Sequence, residues 1–196
     1  MAYKKRKDYN DVKVGGFQIL PADGYVCKIL KAEQTRSAKG RDMLKVAFDI
    51  TEGEYAGYFR ELFNGWKDRS DDPATVKWPF SGTKWILFEN NDGKTSRDFK
   101  SFCTSLEDSG NVVWNEDDEL LIGNLKDMEV GIIFRREEHE YNNTTSWRTV
   151  PFGFRSVEAI QSGDFKIPED KPLPPKQFNF GDIPDSFEAV EDDIPF

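Results

Sequence analysis

The chain has 196 residues, room for one domain plus appendages, and is 14% aromatic despite being 32% charged, so rings either fill a small core or stay at the surface for a ligand. Its net charge of −9 is unevenly spread: residues 1–70 carry 14 Lys/Arg and 10 Asp/Glu, residues 71–165 carry 10 and 18, and residues 166–196 carry 3 and 8. A basic first third and an acidic end matter more for partner choice than their sum, so the acidity does not exclude an anionic ligand.

Residues 1–14 form a polar, basic arm (Lys4, Lys5, Arg6, Lys7) with nothing to pack and no following apolar region, so it is not a secretory signal. Leu20-Pro21-Ala22-Asp23-Gly24 is a turn, and residues 24–31 alternate Tyr25, Cys27 and Ile29 on one face as a half-buried strand. Residues 35–42 are a polar loop. The clearest strand follows, with Leu44, Val46, Phe48 and Ile50 facing the core and Met43, Lys45, Ala47 and Asp49 facing a partner. A turn at residues 52–57 leads to a third strand over 58–63. Residues 64–83 are long and irregular yet hold Trp66, Trp78 and Phe80 beside Lys67, Arg69 and Lys77, and a loop of that length is usually functional or disordered. Residues 84–88 fit a short strand or a helix start.

The pattern predicts a helix over 95–108. Phe99, Phe102, Cys103 and Leu106 fall at i, i+3, i+4 and i+7, Thr95 with Asp98 resembles a capping box, and Gly110 ends it. A short acidic helical turn is expected at 117–122. Residues 128–136 and 147–157 are two β-rich runs joined through Asn142-Asn143, a hairpin. The strong elements are therefore β-β-β-α-β-β, the order of a five-stranded Greek-key barrel, the OB-fold: all-β with one helix, over residues 15–165. From residue 166 the composition shifts to a Pro-rich acidic linker (166–191), solvated and extended. Cys27 and Cys103 are core residues, and neither they nor His139 have metal-ligand spacing, so no metal or cofactor is expected. No run approaches the roughly 18 apolar residues of a membrane span, which predicts a reduced, cytoplasmic protein with no membrane partner.

The last five residues, Asp192, Asp193, Ile194, Pro195 and Phe196, stand apart. An aromatic at the end of a solvated acidic tail gains nothing in folding, so its use is in trans. Phe196 offers a ring and the α-carboxylate to one apolar pocket with a basic rim; burying such a ring is worth roughly 1.5–3 kcal/mol, and charge-assisted bonds to the carboxylates add to it. Pro195 limits the ordering cost by restricting itself and Ile194. This Asp-Asp-Ile-Pro-Phe terminus resembles the tip of bacterial single-stranded DNA-binding proteins, which recruits helicases, nucleases, primase and recombination factors. The body resembles, less closely, the OB-fold single-stranded DNA-binding proteins of phages and prophages. The matching pieces are Leu20-Pro21-Ala22-Asp23-Gly24-Tyr25, Glu52-Gly53-Glu54-Tyr55-Ala56-Gly57 and Leu121-Ile122-Gly123-Asn124. The resemblance implies a nucleoid-associated protein of replication, recombination and repair; a homo-oligomer is compatible with it.

Single-strand binding needs a cationic groove for phosphates and rings on which bases stack. On an OB-fold the ligand face comprises strands two and three with the loops joining strands one to two and four to five. That nominates Arg36, Lys39 and Arg41 in the first loop, Lys45 on strand two, Tyr58 and Arg60 on the third strand, and Trp66, Lys67, Arg69, Trp78 and Phe80 from the long insertion. Trp147 and Arg148 on the last strand complete the set. Trp85, Phe88, Phe99 and Phe102 are expected in the core, Trp114 fits either role, and Arg135-Arg136 read as solvated charges. Rival readings are a metal-dependent nuclease, for which no HExxH, P-loop or close carboxylate set appears, and a carbohydrate- or protein-binding β-domain, which leaves the terminus without purpose. A recombination mediator that loads a recombinase shares the fold; no enzyme activity is expected.

Overall fold

A computed structural model describes residues 18–174; the basic arm at 1–14, the greater part of the predicted linker and the 192–196 tip lie outside the described residues. Five strands form one antiparallel sheet in the order β3-β2-β1-β4-β5: β1 (Gly24–Arg36), β2 (Asp42–Ile50), β3 (Thr83–Leu87), β4 (Glu129–Tyr141) and β5 (Thr144–Arg155). The alternation read in the sequence is the alternation of burial. Cys27, Ile29, Leu44, Val46, Phe48 and Ile50 are all buried on the inner face, as β geometry requires of residues two apart. β1 runs on to Arg36, so the polar loop narrows to 37–41. At the other hairpin Asn142 and Asn143 both adopt left-handed φ, 49° and 59°, the turn that matches the twist of two strands joined by two residues.

The expected third strand at 58–63 is instead a helix, α1 (Tyr58–Lys67). Phe59, Leu62, Phe63 and Trp66 recur at helical spacing, and only the helix lets Phe59 bury completely against Phe48 and Phe134, with ring centroids 5.8 and 6.1 Å away. Gly57, at φ 78°, turns the chain into it, and the buried Asp49 carboxylate accepts the Phe59 and Ile50 N–H groups at 3.0 Å each. Burial raises the Asp49 carboxyl above its usual pKa, and those N–H groups and Arg60 only partly offset it. The third strand of the sheet is then 83–87, resolving the strand-or-helix choice there in favour of strand.

Helix α2 (Arg97–Asp108) lies between the third and fourth strands, as expected, but its cap is Ser96, whose Oγ accepts from Phe99 N, rather than Thr95. Phe102 of α2 packs on Phe154 of β5, and Cys27 and Cys103 are both buried. Phe88, Phe99 and Trp114 meet edge-to-face and pack against the core, which places Trp114 in the fold. The acidic segment 117–122 makes a turn closed by the Trp114–Leu120 bridge, and a short 3-10 turn, Ile122–Leu125, follows it. A third helix, α3 (Val157–Ser162), capped by Ser156, covers the outer side of β1 and β4, so the described residues hold three α-helices where one was expected. Gly24 and Gly131 make that approach feasible: a Cβ on Gly131 would strike Ile160, and one on Gly24 would sit 2.6 Å from Phe165. No helix among the described residues is long and apolar enough to cross a membrane.

Residues beyond 166 do not simply leave the body. Lys171 joins the free edge of β4, donating its N–H to Arg136 O and accepting from Glu138 N, each at 2.9 Å. Of the predicted linker, the described residues 166–174 are largely exposed, and Lys171 hydrogen-bonds them to the sheet.

Candidate nucleic-acid interface

Antiparallel register sets Trp85 of β3 opposite Lys45 of β2, and Leu87 opposite Met43, so these side chains share the outer face of the two strands. Trp85 is 38% exposed. Just before β3 the 3-10 turn Phe80–Gly82 presents Phe80, whose ring lies 5.1 Å from that of Trp85. The Arg148 guanidinium, from β5, stands 4.9 Å from the Phe80 ring, so one aromatic side chain links the two edges of the open sheet. Lys84 reinforces this seam by donating to Phe152 O at 2.9 Å and Pro151 O at 3.3 Å; burial lowers its pKa, and Asp98 partly restores it.

Two clefts meet across Phe80 and Arg148. One, of about 310 Å³, is walled by Ile19, Leu62, Trp66 and Trp147. The other, of about 190 Å³, adds Lys84, Trp85 and Glu137. Trp66, Phe80, Trp85 and Trp147 thus form one exposed aromatic band. Arg136 stands 4.9 Å from the Trp147 ring of this band, and Arg135 stands 4.5 Å from the ring of the neighbouring exposed Phe152. Burial alone pushes the Glu137 carboxyl up, but the Arg135 hydrogen bond and the Lys171 and Arg148 charges outweigh it and hold it below the usual range. At the far end of β2–β3, Arg41 in the 37–41 loop donates to Asn91 Oδ1 at 2.7 Å and lines a third cleft of about 380 Å³ with Phe88 and Asn90.

Three buried side-chain polar atoms lack a hydrogen-bond partner among the described residues, and two of them are Arg41 Nε and Arg148 Nε. Orphaned buried donors are rare in folded proteins and call for an explanation. Arg148 borders both clefts beside Phe80, and Arg41 lines the third cleft at the far end of β2–β3.

The residues nominated from sequence divide accordingly. Trp66, Phe80, Trp147 and Arg148 come together at one cleft, and Lys45 lies next to Trp85 on the shared face. Lys39 is exposed in the 37–41 loop beside Arg41, and Arg36 ends β1 in an ion pair with Asp42 at 2.9 Å. Lys45 is likewise paired, with Glu33 at 3.0 Å.

Tyr58, Arg60 and Trp78 are placed differently from the exposed positions expected of them, Tyr58 still lining the cleft with Trp66, Phe80, Trp147 and Arg148. Tyr58 reaches the cleft floor, but its hydroxyl accepts from Leu20 N and its ring packs on Tyr55 and Phe59, because a helix replaces the strand that was to aim it outward. Arg60 turns away to Asp49, 3.7 Å off, at a separate acidic hollow with Glu52 and Glu129. Trp78 is half-buried, donating its indole N–H to Gly82 O and packing on Phe63, so it builds the wall under Phe80. Lys67 lies over Phe63 at the end of α1, and Arg69 sits in the following turn; neither lines the clefts around Phe80.

Trp85, Phe152, Arg135 and Arg136 were missed. Trp85 was expected in the core, yet Ile86 takes the inward position of β3 and alternation turns Trp85 out. That signal was present in Lys84-Trp85-Ile86 once the strand is accepted. No protein-family model and no curated protein sequence matches this chain.

Proposed function

We propose that this chain binds single-stranded DNA with little sequence preference on an OB-like body, and recruits replication, recombination and repair proteins through its Asp192–Phe196 terminus. The observation that carries the reading is the aromatic band Trp66/Trp147–Phe80–Trp85, with guanidinium groups whose Nε atoms lack a partner on Arg148 beside Phe80 and on Arg41 at the far end of β2–β3. Strand order supports the body: the first strand pairs with the second and fourth, and a helix stands between the third and fourth. Bases would lie on the exposed rings, and phosphates would take the Arg148 and Arg41 donors. Stacking of this kind is sequence-tolerant because every base has a π-face, and it needs unpaired bases because a duplex hides those faces.

The test is a tryptophan-fluorescence titration of the full chain with oligo-dT and with duplex of equal length across a salt series. Quenching by oligo-dT at much lower concentration than by duplex is expected, with affinity falling as salt rises. Equal affinity for the two, or no quenching by either, refutes the reading.

A further inference from the structure

Lys171 fills a gap in the sheet. β1 pairs with β4 only from Glu129 to Ile133, while β5 follows β4 out to Tyr141, so the outer edge of β4 beyond Phe134 has no strand of the body beside it. The chain returns to that edge after α3. Besides the two backbone bonds of Lys171, Asp170 pairs with Arg136 at 3.3 Å, Lys171 with Glu137 at 3.8 Å, and Leu173 N donates to the Glu138 carboxylate at 2.9 Å. Each contact is matched in sign and order, so the register of the segment is specified rather than incidental.

Its position is what gives it consequence. Arg136, held by Asp170, is the cation over the Trp147 ring, and Trp147 is a wall of the larger cleft. We infer that residues 170–173 form a detachable strap that keeps Arg136 over Trp147, and that a nucleic-acid strand entering the cleft displaces it. This rests on the single-strand reading of the cleft and adds a regulation to it. A phosphate and the Asp170 carboxylate compete for one guanidinium, and a base and that guanidinium compete for one ring face. Strap and strand are thus mutually exclusive at two groups, which couples their equilibria reciprocally. The strap is weakly held: its Asp170–Arg136 pair is solvent-exposed, its Lys171–Glu137 pair is long, it makes two ladder bonds, and Leu173 is its half-buried side chain. Release by a ligand that favours the open form is therefore within reach of ordinary binding energies.

The experiment uses the full chain, labelled oligo-dT at low salt, and three variants: Asp170→Asn, Asp170→Asn with Lys171→Ala, and Glu169→Gln. Glu169→Gln makes the same charge change as Asp170→Asn at a residue with no ion pair among the described residues. Weakening the strap should tighten binding about 5-fold or more, the lower range of typical allosteric couplings, with Glu169→Gln giving little. In the parent, hydrogen exchange at the Glu138 amide, which donates to Lys171 O, should speed up when oligo-dT is saturating. Equal gains from Glu169→Gln and Asp170→Asn, or an unchanged Glu138 amide alongside measured binding, overturn the strap and leave single-strand binding standing. No binding by the parent or any variant refutes the single-strand reading, and the strap with it.

Discussion

Phe80→Ala separates binding from folding at the centre of the candidate face. The ring is 53% exposed, and full burial of a Phe side chain is worth about 1.5–3 kcal/mol, so truncation should cost about 1 kcal/mol of stability. Its loss on the binding side is larger. The ring borders both clefts, stacks near Trp85 and carries Arg148, so a base resting there loses a platform worth roughly 1–3 kcal/mol. That corresponds to about a 5- to 150-fold weaker Kd. Fluorescence anisotropy of a labelled oligo-dT measures the affinity, and a thermal melt of the same sample shows that the variant is folded. Arg60→Ala is the matched control, because Arg60 faces Asp49 at a separate hollow and should leave affinity unchanged. A folded Phe80→Ala protein that binds within about twofold of the parent would show that the aromatic band is not the binding surface.

Asp49 has a folded pKa raised by burial, so its contribution favours the folded state fully below the unfolded carboxyl pKa and is lost as pH rises through the folded one. Chemical denaturation of parent and Asp49→Asn at pH 7 and pH 4 should therefore show the parent gaining stability relative to the variant at the lower pH; a gain in the opposite direction contradicts the burial argument. Gly131→Ala would drive a Cβ into Ile160 and to 2.8 Å from Ser156 O, backbone that α3 cannot move cheaply. A loss of about 1–3 kcal/mol is expected in a urea titration, and an unchanged midpoint would mean that α3 is not packed there. Among the nominated cations at the clefts and in the 37–41 loop, Lys39, Arg41 and Arg148 have no carboxylate within ion-pair distance among the described residues, so about three phosphates are contacted and the log–log salt slope for oligo-dT should be near −2. A slope steeper than about −4 would mean that cations now in ion pairs carry the binding.

Local periodicity carried most of the sheet. β1, β2 and the 129–155 hairpin follow from alternation and the Asn142-Asn143 turn, since each is decided by neighbours within a few residues. The 58–67 segment misled because its first six residues mix Tyr58, Phe59, Leu62 and Phe63, which suits either period. What decides for the helix is the Asp49 carboxylate ten residues upstream and the space beside Phe48 and Phe134, both tertiary. The error propagated to Tyr58 and Arg60, whose nomination depended on a strand. Trp66, Phe80, Trp147 and Arg148 were legible as polar-flanked rings and a cation, but their meeting at one cleft depends on how 80–82 folds back on β5. Arg135 and Arg136 gave no local sign of their rings, because Phe152 and Trp147 reach them only through the hairpin register.

On the proposed reading, a chain of net charge −9 must limit the repulsion that a polyanion meets at its face. Here most cations near the face are already neutralised: Arg36 by Asp42, Lys45 by Glu33, Arg135 by Glu137 and Arg136 by Asp170. A phosphate can recruit these only by displacing a carboxylate, and exchange of one exposed ion pair for another yields little. Among the rings, a base competes with a guanidinium at Trp147, beside Arg136, and at Phe80, beside Arg148. Stacking would therefore supply most of the affinity, and the unpaired guanidinium atoms of Arg148 and Arg41 would set where the backbone runs. On the proposed single-strand reading, such a balance would release the strand readily when salt or a competing strand intervenes.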